Sequence, residues 1–94
     1  RGTTDLRADA AAAAAAGRID EAIIGYKSLL QQDAKDFEAR RALGRLYLAT
    51  NAPKLALKEL RRASPLREQY PDLDLDIARA QLALGAHREA LAAL

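Results

Sequence analysis

Positions 34 residues apart carry similar residues along this whole chain, and no gap is needed to keep the register. The residues that share a column are Gly17, Asn51 and Gly85; Ala10, Gly44 and Ala78; and Ala22, Ala56 and Ala90. A period of this length is typical of stacked-repeat proteins. Such arrays usually present a binding surface and carry out no chemistry.

Each column has a physical interpretation. The column of Gly17, Asn51 and Gly85 predicts helix ends, because glycine enters the left-handed backbone region freely and asparagine tolerates it. The two columns of small residues lie in the middle of helices, where they allow a neighbouring helix to approach closely. Each unit is therefore predicted to be a helix, a tight turn and a second helix, which makes six antiparallel helices in all.

The middle unit, residues 37–70, carries the most complete pattern, with Leu43, Gly44, Tyr47, Asn51, Ala56, Leu60 and Ala63. At these spacings the chain resembles the tetratricopeptide repeat family. It departs from the family's pattern at the tryptophan column, which holds Leu6, Arg40 and Asp74, and at the proline, since Pro71 comes three positions late. The resemblance implies an all-α, right-handed α-solenoid of about three helix-turn-helix repeats. Residues 1–94 would form one array, with repeats at about 3–36, 37–70 and 71–94.

Local signals predict the helix boundaries. Thr3, Thr4 and Asp5 offer caps for the first helix, and Asp36 caps the third. Proline at position 53 suits the first turn of the fourth helix, and Ser64-Pro65 should end or kink it. The expected helices run from residue 3 to 17, from 19 to 32, from 37 to 50, from 53 to 64, from 71 to 85, and from 86 onward.

The two ends predict that the chain is a piece of a longer protein. It begins without methionine, and it stops at Leu94, where the third unit's second helix has completed barely two turns. The last repeat is therefore expected to be truncated, which would leave Leu84, Leu91 and Leu94 uncovered. Exposed apolar faces favour contacts between molecules, so weak self-association through the end helices is expected.

Composition argues against several classes of function. Fifteen basic and 13 acidic residues give a net charge of only +2, and aromatic residues make up 4%. Nucleic-acid binding is not expected, because it usually requires a clustered basic excess. Direct membrane insertion is not expected either, since no stretch approaches the ~20 apolar residues of a span. The compartment, periplasmic or cytoplasmic, stays unknown, although abundant alanine and arginine suggest a bacterial source.

Catalysis and cofactor binding are not expected. His87 is the one histidine, and cysteine is absent, so the chain lacks the ligand sets of a zinc site. Alternating Asp72, Asp74 and Asp76 resemble the start of a calcium loop, but no glycine or closing glutamate follows at the required positions. The prediction is a protein that is not an enzyme and that holds no metal and no cofactor.

The resemblance implies that the first helix of each repeat lines a concave groove. The columns that face this groove in the family predict a partner-binding site at Arg7, Glu38, Arg41, Arg45, Leu48, Arg79 and Leu82. Arginine suits recognition of carboxylates, so the expected ligand is an acidic-amphipathic protein or peptide. The alternative is that these arginines pair with acids of the chain itself, such as Glu38 and Asp72. Charge reversal at Arg45 and Arg79 is expected to abolish binding without affecting folding.

The predicted function is a non-catalytic scaffold for protein–protein interaction. Two alternatives stay open. One is a structural spacer in a bacterial envelope assembly, such as exopolysaccharide export or secretion. The other is a regulatory domain of a larger enzyme.

Overall fold

The computed structural model describes residues 2–93, with residues 3 and 4 described by their backbone alone, and all regular secondary structure in this part of the chain is helical. Five α-helices and a short 3-10 turn follow one another there. They are α1 (Thr3–Ala15), α2 (Ile19–Gln32), α3 (Phe37–Ala49), α4 (Pro53–Arg62), the 3-10 turn (Ser64–Leu66) and α5 (Leu73–Ala92). The predicted all-α fold is confirmed.

The helices pack mainly on their neighbours in sequence. α1 packs on α2, and α3 packs on α4, as two helical hairpins. The first hairpin meets the second through α2 and α3, and α5 packs on α4 and, less extensively, on α3. The resulting body is elongated, measuring 48 × 28 × 21 Å, as expected when helical units stack in one direction.

Two of the three predicted turns have the expected backbone. Gly17 has a φ of 81°, and Asn51 has a φ of 58°. At the first turn the N–H of Arg18 donates to the carbonyl of Ala13 at 2.8 Å, and at the second the N–H of Ala52 donates to the carbonyl of Tyr47, also at 2.8 Å. Both helices therefore end in the same six-residue Schellman turn, repeated 34 positions on.

The third predicted turn is wrong. Gly85 lies inside α5, which continues unbroken from Leu73 to Ala92, so the described residues contain no sixth helix. Glycine inside a helix costs only about 1 kcal/mol relative to alanine. Residues 86–93 are all exposed and mostly small or charged, so folding them back as a separate short helix would bury little apolar surface. Continuing the helix is therefore the more stable choice.

The small-residue columns mark close helix crossings. A Cβ atom added to Gly44 would lie 2.6 Å from Cγ of Leu60, which confirms the predicted crossing of α3 with α4. At the crossing of α1 with α2, a Cβ atom on Gly25 would lie 2.8 Å from Cβ of Ala10. Tyr26 and Tyr47 are buried, as the repeat register requires. Small side chains thus set the distance between the two helices of each hairpin.

Candidate protein-binding face

Two adjoining depressions lie between α1 and α3, with volumes of about 410 Å³ and 210 Å³. They share Tyr26, Arg41 and Ala42, so they form one continuous surface, called the concave face below. Of the predicted site residues, Arg7, Glu38, Arg41 and Arg45 line it. Its other residues are Ala11, Ala14, Ile19, Leu46, Ala49 and Tyr70.

Arg7 connects α1 to the start of α3. Its two terminal nitrogens donate hydrogen bonds to the two carboxylate oxygens of Asp36, and the Nη1–Oδ1 distance is 3.1 Å. Oδ1 also accepts a hydrogen bond from the N–H of Ala39 at 3.0 Å, which caps α3 as predicted. Asp36 therefore stabilises the helix start and joins the two hairpins at the same time.

The contact between Arg7 and Asp36 shifts the pKa values of both side chains. The hydrogen bond to Asp36 raises the pKa of Arg7 above its ordinary value. Burial alone would raise the pKa of Asp36, but the hydrogen bonds from Arg7 and from Ala39 outweigh burial and lower it. The carboxylate is therefore held in its charged form, as expected for an acid that accepts several hydrogen bonds.

Arg41, which lies 34 positions after Arg7, connects α3 to the start of α5. Its Nη2 lies 3.3 Å from Oδ1 of Asp72, which immediately precedes α5. Its guanidinium carbon lies 3.9 Å from the ring centroid of Tyr70, so the arginine also makes a cation–π contact. The connection between the hairpins is thus repeated at the next junction, with a tyrosine added.

A third ionic contact in this region centres on a buried acid. Asp76 is only 2% exposed, and it lies in α5. Its Oδ2 is 3.4 Å from Nε of Arg45, and its Oδ1 is 3.3 Å from Nη1 of Arg79. The contact from Arg45 connects α3 to α5, whereas Arg79 lies one turn after Asp76 in α5 itself.

Each of the four arginines predicted to bind a partner thus contacts a carboxylate of the chain itself. Most of these carboxylates are not the ones considered as partners from the sequence. The arginines are Arg7, Arg41, Arg45 and Arg79, and the acids that they contact are Asp36, Asp72 and Asp76. The two predicted leucines line neither depression: Leu48 is half-buried, and Leu82 is 76% exposed on α5.

Sequence reasoning missed the aromatic residues of this face. Tyr26 lies in α2, outside the first helices considered for the groove, yet it lines both depressions. Tyr70 lies in the connection before α5 and lines the smaller one. Tyr70 could have been predicted from the sequence, because it directly precedes the proline and aspartate that open the third unit. This position lies within reach of the first helix of the preceding unit.

The alternating acids at the start of α5 each contact an arginine. Besides the contacts of Asp72 and Asp76, Asp74 accepts a hydrogen bond from Nε of Arg67 at 2.9 Å.

Within residues 2–93 no three potential ligands come together as a metal site. His87 is exposed. None of the described helices has the length and apolar character needed to cross a membrane.

Comparison with known proteins gives two matches. A tetratricopeptide repeat family model matches residues 13–72, which is more than half of the chain. A curated relative, the human Superkiller complex protein 3, is 32% identical over 77 residues, which cover 82% of this chain and 5% of the relative. No solved structure matches the chain. With its helical hairpins, its repeated turns and this family match, the chain belongs to the tetratricopeptide repeat family.

Proposed function

We propose that the chain is a non-catalytic protein-binding module whose concave face holds a segment of the partner. The supporting observation is the continuous pair of depressions between α1 and α3. Tetratricopeptide repeats generally mediate protein–protein interactions and typically have no catalytic activity. The name of the human relative places that protein in a complex, which agrees with a scaffolding role.

The surface supports a ligand that combines apolar and acidic side chains. Apolar side chains would pack over Tyr26 and Ala42, which both depressions share. Carboxylates would reach Arg45 and Arg79, whose side chains remain 48% and 59% exposed beside Asp76. Leu48 and Leu82 would extend the site toward α5. Since the arginines already hold carboxylates, apolar packing should contribute more of the affinity than charge does.

The experiment that tests this proposal fills the depressions without changing charge. Ala11 and Ala49 are exposed helix residues, one in each depression, so Ala11→Gln with Ala49→Gln should block the face and leave the fold intact. The matched control is Ala12→Gln with Ala90→Gln, since both of these residues are exposed and line neither depression.

Peptides selected on the wild-type chain from a random displayed library are measured against each variant by fluorescence polarisation. We expect the depression-filling variant to weaken binding about ten-fold or more, while the control binds as wild type does. Equal binding to both variants, or a library that yields no specific peptide, would overturn the proposal.

No feature of the described residues favours either alternative function. A spacer in an envelope assembly and a regulatory domain of an enzyme both stay expectations from the sequence. Of the three leucines expected to be uncovered, Leu91 is 60% exposed, Leu84 is half-buried against the core, and Leu94 lies outside the described residues. The exposure of Leu91, and of Leu82 at 76%, supports weak self-association. Sedimentation at high concentration would show a mass above that of the monomer, and Leu82→Gln with Leu91→Gln would remove the increase.

A further inference from the structure

A second cavity lies on the face formed by α2 and α4, which we call the second-helix face. Its volume is about 300 Å³. Buried or half-buried apolar side chains form its floor: Leu30, Leu43 and Tyr47. Three exposed residues form its rim: Lys27 from α2, and Leu55 and Lys58 from α4. The cavity therefore combines an apolar interior with a lysine on each of two helices.

The other two charged residues of this cavity neutralise each other. Nη1 of Arg40 donates to both carboxylate oxygens of Glu59, at 3.0 Å and 2.9 Å, and the two side chains are only 14% and 6% exposed. Arg40 also donates to the carbonyl of Ala34, at 3.3 Å from Nε and 3.1 Å from Nη2. This buried pair fixes the cavity wall and leaves the charge of the two rim lysines uncompensated.

The uncompensated charge continues along α4. Lys54, Lys58 and Arg61 are spaced by four and three residues, so they share one helix face, and all three are exposed. Among the described residues, neither these three cations nor Lys27 form an ion pair. The one acid of α4, Glu59, is buried.

The two faces therefore differ in their electrostatics. The arginines at the concave face contact carboxylates of the chain, whereas the two rim lysines of the apolar cavity form no ion pair among the described residues. Lys54 and Arg61, farther along α4, form none there either. Uncompensated charge at the rim of an apolar site speeds association with a partner of opposite charge and makes binding sensitive to salt.

We propose that the second-helix face is a separate docking site for an acidic segment of a partner protein. One large apolar side chain of that segment would enter the cavity between Lys27 and Lys58, and flanking Asp or Glu residues would meet the two lysines. Nucleic acid fits less well, because the one aromatic ring at the cavity, that of Tyr47, is 8% exposed and offers no stacking surface. A lipid surface is flat and cannot fill a cavity of this shape.

The test uses short labelled peptides with one central leucine or phenylalanine and glutamates on both sides. Two control peptides separate the contributions: one replaces the glutamates by glutamines, and the other replaces the central residue by glycine. We expect the acidic apolar peptide to bind the wild-type chain, to bind more weakly as salt rises, and to bind at least about ten-fold better than either control peptide.

Charge-matched variants locate the binding. Lys27→Glu with Lys58→Glu should weaken binding about ten-fold or more. Lys35→Glu with Arg88→Glu makes the same charge change at exposed positions that do not line the cavity and should leave binding as in wild type. The concave-face variant Ala11→Gln with Ala49→Gln should also bind normally, which separates this proposal from the proposed function. Circular dichroism checks that each variant keeps its helix content.

Three results would overturn the proposal. One is equal weakening by both charge-reversal variants, which would indicate a non-specific charge effect. Another is the absence of measurable binding by the acidic apolar peptide to the folded wild-type chain. The third is stronger binding of anionic lipid vesicles or a single-stranded oligonucleotide that is lost in Lys27→Glu with Lys58→Glu, since it would assign the face to a membrane or to nucleic acid.

Discussion

The guanidinium of Arg41 lies over the ring of Tyr70, 3.9 Å from its centroid, and the same arginine reaches Asp72. A groove residue expected to meet a partner is thus engaged by the segment that leads into α5. Its side chain is only 16% exposed. The contact makes Arg41 a structural connection between the second hairpin and α5, whatever it contributes to binding.

Replacing Arg41 should therefore destabilise the fold. We expect Arg41→Ala to lower the free energy of unfolding by about 1–3 kcal/mol, from loss of the cation–π contact and of the partly exposed ion pair. Arg41→Lys should recover only part of this, because an ammonium group lacks the planar surface that stacks on the ring. Denaturant titration measures both, and a double-mutant cycle with Tyr70→Leu should give a favourable coupling. Zero coupling would contradict the role of the stack.

Enlarging Gly44 should overpack the crossing of α3 with α4. The nearest atoms to an added Cβ belong to Leu60 and to the carbonyl of Ala56, the latter at 3.3 Å, and both are in a fully buried region. We expect Gly44→Leu to cost roughly 1–3 kcal/mol of stability. Thermal unfolding followed by circular dichroism checks this, and an unchanged melting temperature would show that the crossing is misplaced.

Two glycine-to-alanine changes distinguish a turn from a helix. A Cβ on Gly85 meets nothing within 4 Å, and the residue lies inside α5, so Gly85→Ala should stabilise the protein by about 0.5–1 kcal/mol. Gly17 also has open space around it but has a φ of 81°, so Gly17→Ala should destabilise by about 1–2 kcal/mol. If Gly85→Ala also destabilised, the residue would be in a turn and α5 would not be continuous.

Asp36 should make stability depend on pH. Because its folded pKa is lowered from the ordinary value of 3.8, its ionised form contributes stability above that value, and the contribution is lost as pH falls through the folded pKa. Asp36→Asn keeps a good helix cap but removes the charge. We expect it to cost roughly 0.5–1 kcal/mol at neutral pH, since Arg7 is 37% exposed and screened by solvent. The difference from wild type should vanish in acid, and a difference that persists at low pH would assign it to something other than charge.

Charge reversal at Arg45 and Arg79 should affect folding, contrary to the expectation from sequence. The double change to glutamate leaves buried Asp76 without a cation and adds two carboxylates beside it. We expect a loss of the order of 3 kcal/mol, and adding Asp76→Leu should restore much of it, because the buried charge is then removed. Chemical unfolding of the double and triple variants measures this. Normal stability of the double variant would mean that Asp76 does not depend on these arginines.

The contrast between Asn51 and Gly85 shows what the sequence could and could not predict. A left-handed residue after an amphipathic helix is a local requirement, so the turns at Gly17 and Asn51 followed from the period alone. Gly85 occupies the same column, but a turn there also needs a second helix with enough apolar surface to pack on α5. Residues 86–93 do not supply it.

The ionic contacts were harder to predict than the helices. Arg7 reaches an acid 29 positions away, and Arg41 reaches one 31 positions away, so the two contacts do not keep the 34-residue register. Which acid an arginine meets depends on how the hairpins are rotated against each other. The sequence therefore predicted that α1 and α3 would line this face, but not the part that Tyr26 of α2 takes in it, nor that its arginines would be engaged within the chain.

The contacts from Arg7 to Asp36 and from Arg41 to Asp72 have a mechanical consequence. Each links the side of one helix to the beginning of the equivalent helix in the next unit, so each resists separation of the two units. Bending the array open at either junction would have to break this ionic contact before it disturbed the apolar contacts beneath. The array should therefore become easier to bend in acid at the junction held by Asp36, but only below the ordinary aspartate pKa, since the pKa of Asp36 is lowered.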